Sequence, residues 1–280
     1  MKFSLILCTL NRDEEVKKFL ISLSNQVYKN FEVVIVDQNK DQRITNILVD
    51  FSFLDINYLQ FKKGLSRSRN FGLKHAKGEI VCFPDDDCIY PKNLLKNINN
   101  FFLKNKYEIL MGKTIDKITS KIVAGKNISK SQELFKSNIL GSSTTLFIRN
   151  NNCNIIFDED FGLGGKFNAE EENDLIFRLL NSGLKAYYNP DINYVYHPPS
   201  DLNYSDFERA EERAIGLGAF IAKHLNTIDG LKYFFKYNLG RPFLAIILYT
   251  FQCNCIKLKF YSYRWKGIWI GFYKYLRSNI

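Results

Sequence analysis

Three consecutive carboxylates, Asp85, Asp86 and Asp87, are the residues of this chain whose types and spacing most invite chemistry. Like charges this close repel, and they stay ionised only if something cationic sits among them. Hard divalent cations such as Mg²⁺ and Mn²⁺ take oxygen ligands, often one or two carboxylates completed by phosphate oxygens. The triplet follows Ile80–Phe83, an apolar run that reads as a short buried strand. After Pro91, apolar residues at 94, 95, 98, 101 and 102 recur at helical spacing. A strand that ends in acids and turns into a helix places those acids at the carboxyl edge of a sheet, where open α/β sheets bind ligands. The plainer reading is a solvated acidic turn with Asp87 capping the helix. The position behind a buried strand favours a metal and phosphate site.

Other stretches carry groups of matching chemistry. The segment Lys63 to Leu73 combines small residues with Arg67 and Arg69 ahead of a helix running to about Ala76. Helix N-terminal amides and guanidinium forks both favour a diphosphate, although an ordinary surface helix with exposed arginines has the same composition. Phe161 to Phe167 is a glycine-rich loop expected to be flexible, with Gly164 and Gly165 at its centre. It leads into a helix over Ala169–Leu180, ended by Gly183 and headed by Glu170, Glu171, Glu172 and Asp174. These acids suit a first helical turn. A mobile loop beside a carboxylate cluster is also how a general base meets an acceptor hydroxyl, so Gly164, Gly165 and Asp174 are expected on the acceptor side. His197 ends a strand-like run, as a metal ligand or as a hydrogen-bonded structural histidine.

The elements that would position these groups follow from hydrophobic pattern. Phe3 to Thr9 reads as a strand, Leu10-Asn11-Arg12 as its turn, and Asp13 to Gln26 as a helix. That helix carries acids at 13, 14 and 15 and an apolar face of Val16, Phe19, Leu20 and Leu23. Phe31 to Asp37 is a second strand ending in an acid, and Asp55 to Phe61 a third. Strand, helix, strand is a βαβ pattern with a right-handed crossover, which sets Asp37 on the same rim as the acidic triplet. Glu108 to Ile115 and Ser143 to Arg149 read as further strands, as do Ala186–Tyr188 and Asn193–Pro199; Ile118 to Phe135 has no clear period.

A chain of 280 residues with 46% apolar content and 15% aromatics can bury a large core, and its formal charge is +10. Cysteines 8, 82, 88, 153, 253 and 255 lack framework spacing, and Cys253-x-Cys255 lacks the second pair of a zinc site; reduced thiols in a cytosolic protein are expected. The apolar start, Phe3 to Cys8, is too short for a signal peptide and is interrupted by Asn11-Arg12-Asp13-Glu14-Glu15. No run approaches the ~20 apolar residues of a transmembrane helix. The last fifty residues differ in kind. After Asp229 there is no acid, and lysines and arginines alternate with rings that include both tryptophans, Trp265 and Trp269. That pattern suits helices lying at the surface of an anionic membrane, or else a basic cap packed on the rest of the chain. The expected organisation is a catalytic domain over residues 1–200 and a basic, aromatic, helical region over 201–280.

Over roughly residues 3 to 200 the chain resembles the inverting glycosyltransferases of family 2. The likeness rests on Thr9-Leu10-Asn11-Arg12, Val36-Asp37, Gly64 through Gly72 with Arg69-Asn70, Gly78-Glu79-Ile80, Asp85-Asp86-Asp87, and Glu171-Glu172-Asn173-Asp174-Leu175 with Arg178. The resemblance implies a GT-A fold, a Rossmann-like mixed α/β sheet with flanking helices. It implies transfer of a sugar from a nucleotide-sugar donor to a hydroxyl of a glycan acceptor, lipid-linked by analogy with similar bacterial enzymes. Thr9, Asn11, Arg12, Asp37, Arg69, Asp85 and Asp86 would serve the donor, Asp37 at its base or ribose, Arg69 at its base or phosphates and Asp85 at the ribose. Asp87 and His197, with Asp85, would hold Mg²⁺ or Mn²⁺, and Glu172 would be the base. Glu172 stands where the family has Asp, which keeps Glu171 as an alternative. Asp37-Gln38-Asn39-Lys40-Asp41 departs from the family's usual Asp-Asp-Gly-Ser.

The chemistry implied is direct displacement, in which the base removes the acceptor proton and the metal stabilises the departing diphosphate. The expected location is the cytoplasmic face of the cell membrane, held peripherally. Rival readings are a nucleotidyltransferase making a nucleotide sugar, and a non-catalytic membrane-surface binding protein. The acid-rich site argues against nucleic acid as a substrate.

Overall fold

The computed structural model describes residues 1–124, 128–150, 154–199 and 203–278. Backbone contacts divide the chain into two compact units, Met1–Phe157 with Leu175–Ser200, and Asp158–Asp174 with Asp201–Ile280.

In the first unit the strands are β1 (Phe3–Thr9), β2 (Phe31–Asp37), β3 (Ile56–Gln60), β4 (Ile80–Cys82), β5 (Ile109–Met111), β6 (Lys113–Ile115), β7 (Ile122–Ala124), β8 (Gln132–Leu134), β9 (Phe147–Arg149), β10 (Ala186–Tyr188) and β11 (Tyr194–Tyr196). Its helices are α1 (Glu14–Ser24), α2 (Arg43–Leu48), α3 (Leu65–Leu73) and α4 (Leu94–Lys104). Helix α5 (Glu171–Asn181) begins in the second unit and continues in the first. Among the described residues eight strands form one sheet in the order β3-β2-β1-β4-β9-β5-β10-β8, and β11-β6-β7 form a second. Strands β1 to β4 run parallel, while β9 is antiparallel to both β4 and β5. The large sheet is therefore mixed, as expected.

Both faces of that sheet are buried. Leu5 and Leu7 of β1 and Val33 and Ile35 of β2 join Val16 and Phe19 of α1 and Leu95 and Ile98 of α4 in one cluster. The alternate residues Ile6, Cys8, Val34 and Val36 join Leu175 and Ile176 of α5 in another. This two-sided burial is why the middles of β1 and β2, Leu5–Cys8 and Val33–Val36, read as unbroken apolar runs. Register pairs Thr9 with Asp37 and Leu5 with Cys82, so the chain leaves β1, β2 and β4 along one edge.

Two sequence expectations need correction. Glu108–Ile115 is not one strand: it breaks at Gly112, and its halves belong to different sheets. A Cβ at Gly112 would stand 1.7 Å from the Asn193 carbonyl oxygen, so only glycine lets that backbone approach. Within Ser143–Arg149, Ser143–Thr145 is a 3₁₀ turn, capped reciprocally by Ser142 and Thr145, and the strand begins only at Phe147. Serine and threonine side chains there take over backbone groups that a ladder would use. Helix α2 was not anticipated, and β7 and β8 lie in the stretch without a clear period.

The second unit holds the glycine-rich loop, the start of α5, and α6 (Phe207–Lys223), α7 (Ile228–Phe234), a π turn (Phe235–Gly240), α8 (Arg241–Phe251) and α9 (Cys255–Ser278). Helices α6 and α9 meet through small residues. Cβ atoms at Gly218 and Gly271 would each stand 1.9 Å from a backbone oxygen of the opposing helix, Ile268 and Ile215 respectively. No helix among the described residues is long and apolar enough to cross a membrane.

Candidate active site

The acidic triplet sits in the turn after β4 at the carboxyl edge of the large sheet. What keeps three acids together is now visible. Arg12, in the turn after β1, sets Nη1 2.7 Å from Asp86 Oδ1 and 2.5 Å from Asp87 Oδ2. Thr9 donates its hydroxyl to Asp86 Oδ2 at 2.8 Å. The two turns are thus tied through Asp86, and Thr9, Arg12 and Asp86 are spent largely on one another. Burial, aided by Asp87 and Asp85, pushes the Asp86 carboxyl above its ordinary value against the pull of Arg12 and Thr9.

Arg69, in α3, is 1% exposed. Its Nη2 lies 3.3 Å from Asp85 Oδ1 and donates to Ser143 Oγ at 3.0 Å, and the guanidinium lies over the Phe157 ring at 5.3 Å. Such packing fixes the fork in one orientation.

His197 is delivered by a different device. Ile89 and Tyr196 exchange backbone hydrogen bonds of 2.8 and 3.1 Å, stitching the end of β11 to the segment just behind the triplet. The imidazole Nε2 then stands 3.0 Å from Asp87 Oδ1 and 3.8 Å from Asp85 Oδ2. Its Nδ1 is 2.7 Å from the Pro198 carbonyl, which can only accept, so Nδ1 carries a proton and Nε2 faces the carboxylates. Burial would lower the His197 pKa, but Asp87 chiefly, with Pro198 and Asp85, raises it to about 9.

Asp85, Asp87 and His197 offer ligand atoms that all lie within 4.8 Å of one another. Asp87 Oδ1 is buried and accepts no well-aligned hydrogen bond, although the imidazole is adjacent. Its 3.0 Å separation from Nε2 matches the edge of about 3 Å expected for an octahedron with ~2.1 Å metal–ligand bonds. Two carboxylates and an imidazole suit Mn²⁺ or Mg²⁺ in kind and number.

Beside this cluster, a cavity of about 770 Å³ opens at the carboxyl ends of β1, β2 and β3, lined by Asn11, Gln38, Asn39, Gln60, Phe61 and Lys62 among others. Phe61 stacks on Phe71 with centroids 4.3 Å apart. Asn11 adopts φ 59° and donates its backbone N–H to Asn39 Oδ1 at 2.7 Å, a conformation asparagine tolerates. Asp37 underlies the wall, fully buried, accepting from the Asn39 side chain at 2.7 Å and from the Tyr58 hydroxyl at 2.9 Å. Amide edges with a lysine-lined rim fit a nucleoside and its phosphates. Sequence reading did not single out Gln60 or Phe61; the end of β3, one step along the rim from Asp37, was the available signal.

In the second unit, the loop's base is pinned rather than free. Phe161 and Phe167 are fully buried with rings 5.3 Å apart, and Gly162 N–H donates to the Phe167 carbonyl at 3.1 Å. Gly164 has φ 82° and is exposed, while a Cβ at Gly165 would meet the Asp160 carbonyl oxygen at 2.8 Å. Of the acids heading α5, Glu171 is buried and Glu172 half-buried. Asp174 is fully buried, its Oδ1 2.7 Å from Lys223 Nζ and 2.9 Å from His224 Nε2 at the end of α6. Lys223 also reaches Asp158 Oδ2 at 2.6 Å. Asp174 therefore positions the head of α5. Burial, then repulsion from Arg209 and Arg264, lowers the Arg213 pKa, and Glu172 partly offsets this.

Residues 4–162 match the family model described as Glycosyl transferase family 2. UDP-Glc:alpha-D-GlcNAc-diphosphoundecaprenol beta-1,3-glucosyltransferase WfgD of Escherichia coli is 27% identical over 152 residues, 52% of this chain and 60% of that protein. The match thus spans less than two thirds of that relative's length. The crystal structure of S. aureus TarS 1-349 aligns at 18% identity and TM-score 0.63, covering 100% of this chain and 92% of that one. Mannosyltransferase PcManGT from Pyrobaculum calidifontis, in complex with GDP-Man and Mn²⁺, aligns at 13% identity and TM-score 0.65, covering 99% and 88%. These structural likenesses show the fold, a mixed sheet with flanking helices of GT-A type.

Proposed function

The chain belongs to glycosyl transferase family 2, and from that premise we propose that it moves a sugar from a nucleoside-diphosphate donor to a hydroxyl of a lipid-linked or polymeric glycan by direct displacement. The observation that carries this reading is the convergence of Asp85, Asp87 and His197 at the sheet edge beside an amide-lined cavity. A nucleoside lies against Gln38, Asn39 and Gln60, with Asp37 holding that wall in place. Arg69 and Arg12 keep the acids ionised and oriented. A divalent cation on Asp85, Asp87 and His197, when bound, supplies Lewis-acid stabilisation of the leaving diphosphate. Glu172 takes the acceptor proton, with Glu171 as the alternative in this role. The loop carrying Gly164 and Gly165 presents backbone to the acceptor, and Asp174 holds the helix that carries the base.

The lipid-linked acceptor is supported by the E. coli relative, named for transfer to a diphosphoundecaprenol-linked sugar. A cluster of Arg209, Arg213 and Arg264 in the unit that carries Glu172 suits phosphate on such an acceptor. With residues 1–200 as the catalytic part and 201–280 as a membrane-associating part, the enzyme works peripherally at the cytoplasmic face. The test is incubation with a panel of nucleotide sugars and polyprenyl-diphosphate acceptors. The expected products are a nucleoside diphosphate and an extended lipid. Consumption of nucleoside triphosphate and sugar phosphate with release of pyrophosphate would make it a nucleotidyltransferase instead.

A further inference from the structure

Within the second unit, one helical face is covered by nothing among the described residues. Leu231, Phe235, Leu239, Leu244, Leu248 and Phe251, spaced three to five residues apart along α7, the π turn and α8, are 44% to 84% exposed. In α8 only Pro242 is buried. Exposed aliphatic and aromatic side chains repeated along three successive elements mark a surface that meets an apolar phase. Helix α9 is not that surface, although it holds both tryptophans. Its Gly267 and Gly271 lie against α6, and Phe260, Ile268 and Phe272 are buried.

What α9 contributes lies beside the ridge. A cleft of about 790 Å³ is lined by Trp265, Trp269, Tyr273, Lys266, Lys274 and Arg277, among others. Its walls touch the ridge-bearing helices: Trp265 is 6.1 Å from Phe243, Trp269 is 6.0 Å from Phe234, and the Trp265 indole N–H donates to the Asn238 carbonyl at 2.7 Å. No acid follows Asp229 in the sequence, whereas nine lysines and arginines do. Lys266 is paired with Glu211 at 3.0 Å, and the other charged residues of the rim, Lys166, Lys274 and Arg277, are cationic. Tryptophan and tyrosine between a net cationic rim and an apolar row is the order of chemistries met on crossing from water through anionic headgroups into acyl chains. A protein partner would need a one-signed acidic surface around an apolar strip.

We infer that the α7–α8 ridge inserts into the acyl layer of an anionic bilayer leaflet while the adjoining α9 cleft seats headgroup phosphates. This rests on the reading that the acceptor lies at a membrane, and it names the residues that bring the enzyme there. Insertion parallel to the surface leaves the polar flank of α7 and α8, with Lys232, Lys236 and Arg241, at the headgroup level.

The test uses the full chain and vesicles of phosphatidylcholine with or without phosphatidylglycerol. Trp265 and Trp269, the protein's two tryptophans, both line the cleft, so intrinsic fluorescence reports on it directly. The wild-type chain should sediment with the anionic vesicles, shift its emission to the blue, and be quenched by brominated phosphatidylcholine. A double variant, Leu244→Asp with Leu248→Asp at exposed positions, should lose at least about hundredfold in vesicle affinity. Its basal release of nucleoside diphosphate from nucleotide sugars should be unchanged. Arg277→Glu should weaken binding to anionic vesicles alone and reduce its salt dependence. Equal vesicle binding by the double variant would overturn the inference, as would wild-type emission unmoved by anionic vesicles and unquenched by brominated lipid. Concentration-dependent self-association abolished by the double variant, with no vesicle binding, would assign the ridge to a second copy of the chain. Vesicle binding without any turnover would sink the transferase reading and leave the ridge standing.

Discussion

Replacing Asp87 by Asn isolates the metal claim, because the side chain keeps its shape and loses its charge. Asp87 Oδ1 faces His197 Nε2 at 3.0 Å and Oδ2 faces Arg12 Nη1 at 2.5 Å, so it is shared between the ligand cluster and its internal counter-ion. Burial alone would raise its pKa, yet His197 and Arg12 outweigh burial and hold the carboxyl below its ordinary value. A depressed carboxylate stabilises the fold above its unfolded pKa and loses that contribution as pH falls through the folded value. At neutral pH the Asn variant should therefore start from a somewhat lower Tm without metal. With Mn²⁺ and a nucleoside diphosphate at ~100 times the wild-type Kd, binding adds about 2.7 kcal/mol of stability. For a chain of this size that is a rise of roughly 5–11 °C. Losing one of three protein ligands should weaken the ion at least about hundredfold, the upper end of what loss of a mere ligand-supporting group costs. At the same concentration the variant then keeps roughly 0.4 kcal/mol, a rise of about 1–2 °C. Differential scanning fluorimetry with and without metal, using uridine and guanosine diphosphates in turn, reads both quantities. A full metal-dependent shift in Asp87→Asn would refute the assignment of Asp87 as a ligand.

Glu172→Gln should retain donor binding by the same thermal assay and lose transfer at least ~100-fold; normal transfer by Glu172→Gln alongside an inactive Glu171→Gln would shift the base by one residue. Gly271→Leu should loosen the α6–α9 crossing, because even a Cβ there meets the Ile215 carbonyl oxygen at 1.9 Å. Overpacking of this kind costs about 1–3 kcal/mol or more, and a Tm unchanged within a degree would mean the helices do not approach so closely. Cys8, Cys82 and Cys88 are buried, and burial pushes the Cys8 thiol up to about 12, whereas Cys253 and Cys255 are exposed. Mapping of alkylated peptides should find 253 and 255 modified in the native protein and 8, 82 and 88 modified only on unfolding; rapid native labelling of Cys82 would contradict the packing of β4.

The parts of this molecule that its sequence made legible are those whose cause is local. β1 and β2 were readable to the residue because burial on both faces leaves their middles, Leu5–Cys8 and Val33–Val36, continuously apolar. The acids behind β2 and β4 followed from that reading by parallel connection alone. Legibility failed wherever a partner distant in sequence decides the outcome. Gly112 breaks a strand because the Asn193 carbonyl comes close, and His197 reaches Asp87 only through the Ile89–Tyr196 bridge. That Arg12 pairs with Asp86 and Asp87 could not be read from its place in the turn after β1. Asp174, expected on the acceptor side, is paired with Lys223 and His224, partners some fifty residues away that its place at the head of a helix did not announce. Aromatic rings mark the whole C-terminal region, yet those most uncovered lie in the π turn and α8, while Phe260 and Phe272 of α9 are buried. Burial, unlike composition, depends on which helix reaches the available neighbour first.

The central claim is metal-assisted transfer from a nucleotide sugar at Asp85, Asp87 and His197. Its most direct test is release of nucleoside diphosphate from UDP- and GDP-sugars by the full chain, measured with Mn²⁺, with Mg²⁺ and with excess chelator, beside Asp87→Ala. At least one donor should be turned over with metal, with release falling at least ~100-fold in chelator and in the variant alike. Undiminished release in excess chelator, or full activity in Asp87→Ala, would contradict it.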